Sequence, residues 1–175
     1  MPEIDFSTAL ARLLRDAPLR EQFARDPARV AGQLQVRATE QAVFAALSAE
    51  DIEIQAAILL RKRFEAVRGL IPATMARLGA RAWDCFHAHA RGHWPEAPAM
   101  AISDTQTFCA HLADTQPAAL CPIEMNRLHF HRNRQAIAVH FVREFRVGGR
   151  THAALQVLLR RGRGWTEHAL YFALR

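Results

Sequence analysis

Apolar positions in the first 120 residues recur at spacings of three and four, the period of an amphipathic helix. Leu10, Leu13 and Leu14 follow Phe6-Ser7-Thr8, so Ser7 or Thr8 is expected to cap a first helix. Asp16-Ala17-Pro18 and Asp26-Pro27 open a second and a third helix. In each, the Asp carboxylate can accept from the free amides of the first turn, and the proline φ already suits a helix. Thr39–Leu47 predicts a fourth. Ser48-Ala49-Glu50-Asp51 resembles a capping box with Asp at its last position, and it opens the longest helix, expected to reach about Arg68. Ile52, Ala56, Leu59, Leu60, Arg63 and Val67 form its expected buried stripe. Gly69 and Pro72 end it, and Pro72 starts another. Arg81–Arg91 and Ser103–Asp114 predict two more helices. Gly92–Met100, with one glycine and two prolines, reads as a loop, and Gln116–Pro122 as a linker.

From Met125 the period changes to two. Leu128 and Phe130 alternate with Arg127, His129 and His131. Ile137, Val139, Phe141, Phe145 and Val147 alternate with Ala138, His140, Glu144 and Arg146. A turn centred on Asn133 and Arg134 would set Phe130 opposite Ile137 and Leu128 opposite Val139, with both pairs on one apolar face. On that register Phe141 is in the core, and Phe141→Asp is expected to unfold the sheet. Gly148-Gly149 and Gly162-Arg163-Gly164 read as the next hairpin turns, with Ala153, Leu155, Val157 and Leu159 alternating between them. The segment from Trp165 to Leu174 fits a strand or a helix. The fold class expected is therefore α+β: a helical domain over 1–120, followed by a three- to four-stranded antiparallel sheet over 123–175.

Charge separates the same two parts. The net charge is +6, and all basic residues but Lys62 are Arg. Met125–Arg175 holds ten Arg and only Glu144 and Glu167, a net +8, which leaves −2 on the first 124 residues. A cationic block on a sheet favours an anionic partner, such as an acidic peptide, an acidic protein face or nucleic acid. It also fits solvated strand faces that keep a sheet edge from aggregating. Apolar runs are too short to span a membrane, and Met1–Leu10 carries Glu3 and Asp5 with no basic and apolar prelude of a signal peptide. Three cysteines with no close pair suit a reducing, cytoplasmic setting.

Catalytic constellations are not evident. Ser occurs only at Ser7, Ser48 and Ser103, each readable as a cap, and no phosphate-cradling glycine loop is present. Cys85, His89 and His93 fall at i, i+4, i+8 and are candidate metal ligands, but a structural zinc site needs four ligands and Gly92 interrupts the helix before His93. His129 and His131 share the polar face of a strand on this reading, with His140 across from Arg127, but a metal site needs a carboxylate nearby, and the nearest acids, Glu124 and Glu144, could approach only through folding. What remains is the basic sheet. An open edge accepts an added strand through main-chain hydrogen bonds, and guanidinium groups recognise carboxylates. Arg127, Arg143, Arg146, Arg150, Arg160 and Arg161 are the candidate peptide- or partner-binding residues. Base stacking is disfavoured on this reading, because Phe130, Phe141 and Phe145 fall on the apolar face.

Three segments carry a family resemblance. LLRDAPLREQFARDPARV (Leu13–Val30) and LLRKRFEAVRGLIPATMARLG (Leu59–Gly79) resemble helical modules of proteins encoded beside multinuclear-iron peptide oxidases. HFHRNRQAIAVHFVREFRVGG (His129–Gly149) resembles the sheet of the methanobactin biosynthesis protein C (MbnC) family. The resemblance implies a non-catalytic subunit, bound as a heterodimer to an MbnB-like TIM-barrel iron oxidase through its helical part. Its sheet would help recruit the leader of an MbnA-like precursor peptide, whose cysteines the complex converts to oxazolone and thioamide groups. Iron and dioxygen are then expected at the partner and no cofactor on this chain. Members of the wider group are also described as DNA-binding, so a nucleic-acid-binding regulator is the alternative.

Overall fold

The structure is a computed structural model that describes residues 3–95, 100–147, 150–162 and 164–173, with backbone only at 145–147. Its described elements run α1 Phe6–Arg15, α2 Ala17–Arg25, α3 Pro27–Gln33, α4 Gln41–Ala45, α5 Ala49–Leu70, α6 Pro72–Leu78, α7 Ala82–Arg91, α8 Met100–Thr115 and α9 Pro122–Arg132. Strands β1 Ile137–Val147, β2 Arg150–Arg161 and β3 Gly164–Ala173 follow. The protein is α+β, with helices first and a three-stranded antiparallel sheet last. The segment left open between strand and helix is β3. Among the described residues no helix is long and apolar enough to cross a membrane.

The chain divides into two compact units. One is Met1–Glu65 with His87–Trp94, and the other is Ala66–Phe86 with Pro95–Arg175. In the first, three short helices are each started by an aspartate. Asp5, Asp16 and Asp26 accept from the amides of Thr8, Leu19 and Arg29 at 2.8–3.0 Å. The first helix is thus capped by Asp5, not by Ser7 or Thr8, because a carboxylate two residues earlier reaches the first-turn amides. These helices bury Leu13, Phe23, Val30 and Phe44, with the Phe44 ring edge-on to Phe6 and Phe23. The Ser48 hydroxyl accepts from Asp51 N and caps α5. On α5, Ile52, Ala56 and Val67 are buried as expected, with Phe64 in place of the half-buried Leu59, Leu60 and Arg63.

In the second unit the sheet order is β1-β2-β3, so β1 and β3 are both outer strands. The segment Arg127–His131, expected as a strand, lies inside α9. Pro122 occupies the first turn of α9, Asn133 is the C-cap, and Arg134 follows at φ 50°, so this helix ends at the residues expected to form a hairpin turn. Leu128 and Phe130 do not pair with β1. Both are buried, and Ile137 and Val139 instead pair with Leu159 and Val157. Gly148-Gly149 and Arg163 lie outside the described residues. Gly162 adopts φ +59°, the left-handed conformation glycine tolerates in a tight turn.

The register also reverses the expected core face. Ile137, Val139 and Phe141 are 59, 59 and 61% exposed, while Val142 is buried. Helix α9 packs on the opposite face of the sheet, where small side chains let it approach. Ala154 is fully buried beside Cys121, Ile123 and Val142. The Gln156 amide on this face is satisfied by its neighbours, whereas His140 Nε2 is buried with no hydrogen-bond partner among the described residues. Gln156 Nε2 donates to the Ile123 carbonyl and to Glu167 Oε1, both at 2.9 Å, and Gln156 Oε1 accepts from Asn126 at 3.1 Å. A helix can therefore cover the less apolar side without orphaning a buried amide.

Candidate functional site

The six arginines do not form one surface. Arg127, on α9, donates from Nε to Glu167 Oε2 at 2.7 Å and stands 5.8 Å from the centroid of the Trp165 ring. Arg160, on β2, donates from Nε to the Gln135 carbonyl at 3.0 Å and lies over the Phe130 ring. Both arginines tie α9 to the sheet. Arg143, Arg150 and Arg161 are exposed. Arg143 sits where the β1–β2 register shifts between Val142 and Phe145. Arg150 and Arg161 begin and end β2, about 35 Å apart at the rise of a strand. The Arg146 side chain lies outside the described residues.

Where recognition geometry does exist is at the outer side of β3. Ala73, Cys121, Ile123, Glu124, Arg127, His152 and Tyr171 line a cavity of about 350 Å³ between α6, α9 and the helix-covered face of the sheet. Tyr171 is 57% exposed and forms its β3 wall. Arg127 is the lining cation, and Glu167, on β3, is its carboxylate partner. Glu124 belongs to the frame. It is buried and accepts from Ala73 N, Thr74 N and Thr74 Oγ1, so it caps α6 from a distant helix. A strand added along β3 would gain main-chain hydrogen bonds from this edge, and every second side chain would turn toward the cavity.

The histidines fall on different elements. His129 and His131 lie on α9, two residues apart, so they do not share a face. His129 Nε2 and Asn133 Nδ2 are 2.6 Å apart. His131 stacks edge-on to Trp165 at 4.7 Å, and burial, with Arg160 and Arg127 nearby, lowers its pKa. His140 is on β1. Cys85 and His89 are one turn apart on α7, and the His89 and His93 rings are 5.1 Å apart. Cys109 is buried, and burial, with Glu124 nearby, pushes its thiol up to about 12, the opposite of an activated nucleophile.

The sequence reading missed one arginine-rich cavity in the first unit. Arg15, Arg20, Arg63, Arg91 and Trp94 line a space of about 380 Å³. The Trp94 ring has Arg63 4.6 Å and Arg15 5.2 Å from its centroid. Arg20 pairs with Glu53 at 2.9 Å, and Arg63 donates to the His93 carbonyl, so two of these cations already serve the fold. The signal in the sequence was Trp94 inside a segment that otherwise reads as loop.

In comparisons with known proteins, residues 38–114 match a family described as "SCO6045-like, C-terminal domain". That match covers helices α4 to α8 in part or whole and ends before α9 and the sheet. No curated protein and no solved structure matches the chain.

Proposed function

We propose that this chain is a non-catalytic docking subunit that holds an extended segment of another polypeptide along β3 and leaves the chemistry to a partner. The observation that carries this reading is the outer edge of β3, unpaired among the described residues, beside a cavity lined by Arg127 and walled on its β3 side by the exposed Tyr171. Edge and cavity together supply the two parts of strand addition, backbone pairing and side-chain selection. The resemblance to the MbnC family supplies the identities: an MbnB-like iron oxidase as heterodimer partner and the leader of an MbnA-like precursor as the added strand. Oxazolone and thioamide formation then take place at the partner's iron with dioxygen. The test is co-expression of oxidase and precursor with and without this chain. Precursor modification should require it, and Tyr171→Glu should weaken leader binding about tenfold or more while folding is retained. Full modification in its absence would end this reading.

One observation favours a second reading, a nucleic-acid-binding regulator. Phe141 and Phe172 stand 61 and 49% exposed on the sheet, so aromatic rings are available for base stacking after all. Fluorescence anisotropy with single-stranded RNA and duplex DNA across a salt series tests it, since phosphate contacts make affinity fall steeply with salt.

A further inference from the structure

The helix-free face of the sheet is the more apolar one. On β1 it presents Ile137, Val139 and Phe141, and on β3 Leu170 and Phe172; these five are exposed by 59, 59, 61, 60 and 49%. Pairing places Leu159, Val157 and Leu155 of β2 opposite the three β1 residues, and Leu155 and Ala153 opposite Leu170 and Phe172. Because directly opposed residues share a face, the eight large residues form one continuous surface from edge to edge. Before the register shift, the covered face of β1 holds Ala138, His140 and Val142 by comparison. Stronger apolar character on the open side is the pattern of a sandwich strand whose second sheet is missing.

We infer that this face packs against the same face of a second copy of the chain, giving a two-fold sandwich of three plus three strands. Area supports it. At roughly 200 Å² for a large apolar side chain, the five exposed residues present about 600 Å², the upper limit for a monomer's largest patch. With the half-buried Leu155, Val157 and Leu159, this approaches the roughly 800 Å² per partner of a standard interface. By register Arg161 falls on this face at the Thr166 end, together with His168, and Arg146 pairs with Thr151 at the Phe172 end. A second copy matches the sheet in width and strand length, and a two-fold axis lying in the interface makes the contact self-complementary.

This proposal stands apart from strand addition at β3, because face-to-face packing leaves both sheet edges unpaired. Sedimentation velocity on the purified full chain tests it. The wild type should pass from monomer to dimer with a dissociation constant of about 1–100 µM, a range suited to an interface of this size. Val139→Lys, and separately Leu170→Lys, should keep the wild-type far-UV circular dichroism and weaken the dimer at least tenfold. Val43→Lys, an equally exposed apolar position in the first unit, should leave the dimer unchanged. A wild type that stays monomeric throughout that range overturns the proposal. So does a dimer that survives both sheet-face variants. A monomer whose RNA affinity is lost in Val139→Lys would overturn it in favour of a nucleic-acid surface.

Discussion

Thr74 Oγ1 donates a 2.6 Å hydrogen bond to Glu124 Oε2, joining α6 to α9 across 50 residues of sequence. The same carboxylate accepts from the first-turn amides of α6, and Thr74 Oγ1 accepts in turn from Cys121 N at 3.0 Å. Ile71, the formal N-cap of α6, offers no side-chain acceptor. Glu124→Ala should therefore leave two helix amides without an acceptor in a buried setting and cost about 2–4 kcal/mol. Thr74→Val should cost about 1–3 kcal/mol, since Cys121 N loses its partner. In a urea-denaturation double-mutant cycle the two losses should fall short of additivity, because they remove one network. Full additivity would show that the contacts act separately.

Thiol chemistry follows from burial. Cys85 is half-buried, whereas Cys109 and Cys121 are buried. With its thiol held at about 12, Cys109 is neutral at pH 8. Ellman's reagent should react readily with Cys85 alone in the native protein and with all three cysteines in guanidinium. The same shift sets a sign for stability at high pH. The folded state keeps the Cys109 proton where the unfolded thiol, near 9.0, has lost it. This contribution is fully present below pH 9 and declines as pH rises toward 12. Cys109→Ala should flatten that decline in urea titrations.

His131 has the opposite sense at low pH. Burial, Arg160 and Arg127 all disfavour its charged form, so the folded pKa lies below the usual 6.5. The unfolded chain takes up a proton first as the pH falls. Stability from this group is present above pH 6.5 and is lost progressively below it. His131→Gln should therefore show a shallower loss of urea midpoint between neutral and mildly acidic pH than the wild type. Identical slopes would remove His131 from the account.

The helical part was legible because local chemistry decides it. Asp16 with Pro18, Asp26 with Pro27, Ser48 and Pro72 each satisfy or dispense with first-turn amides, whatever the rest of the fold does. The second half of α9 was misread because Leu128 and Phe130, two apart, fit a strand. Both are buried in the helix because α9 is covered on more than one side. The sheet face was misread for a nonlocal reason. Alternation identifies two faces without saying which one a helix will cover. Gln156, Asn126, Glu167 and Arg127 pair only after folding, and that pairing brings the less apolar side inward. The arginines likewise were counted correctly, but side-chain pairing removed Arg127 and Arg160 from the free set.

The last expectation sets two adjacent β1 residues against each other. Phe141 and Val142 are neighbours in sequence, yet Phe141 is 61% exposed and Val142 is 7% exposed. If the sheet buried the more apolar alternation, Phe141→Asp would be the damaging change. The structure reverses the order. In dilute solution, where the chain is monomeric, Phe141→Asp should change stability by no more than about 0.5 kcal/mol, as at other surface positions. Val142→Asp forces a carboxylate in among Cys121, Ile123 and Ala154 and should cost about 3 kcal/mol or more. At high concentration Phe141→Asp should also lose the rise in melting temperature that dimerisation gives the wild type, because association stabilises by mass action. Thermal melts of both variants at two concentrations separate the effects. If Phe141→Asp unfolds the dilute protein while Val142→Asp leaves it intact, helix α9 covers the other face of the sheet.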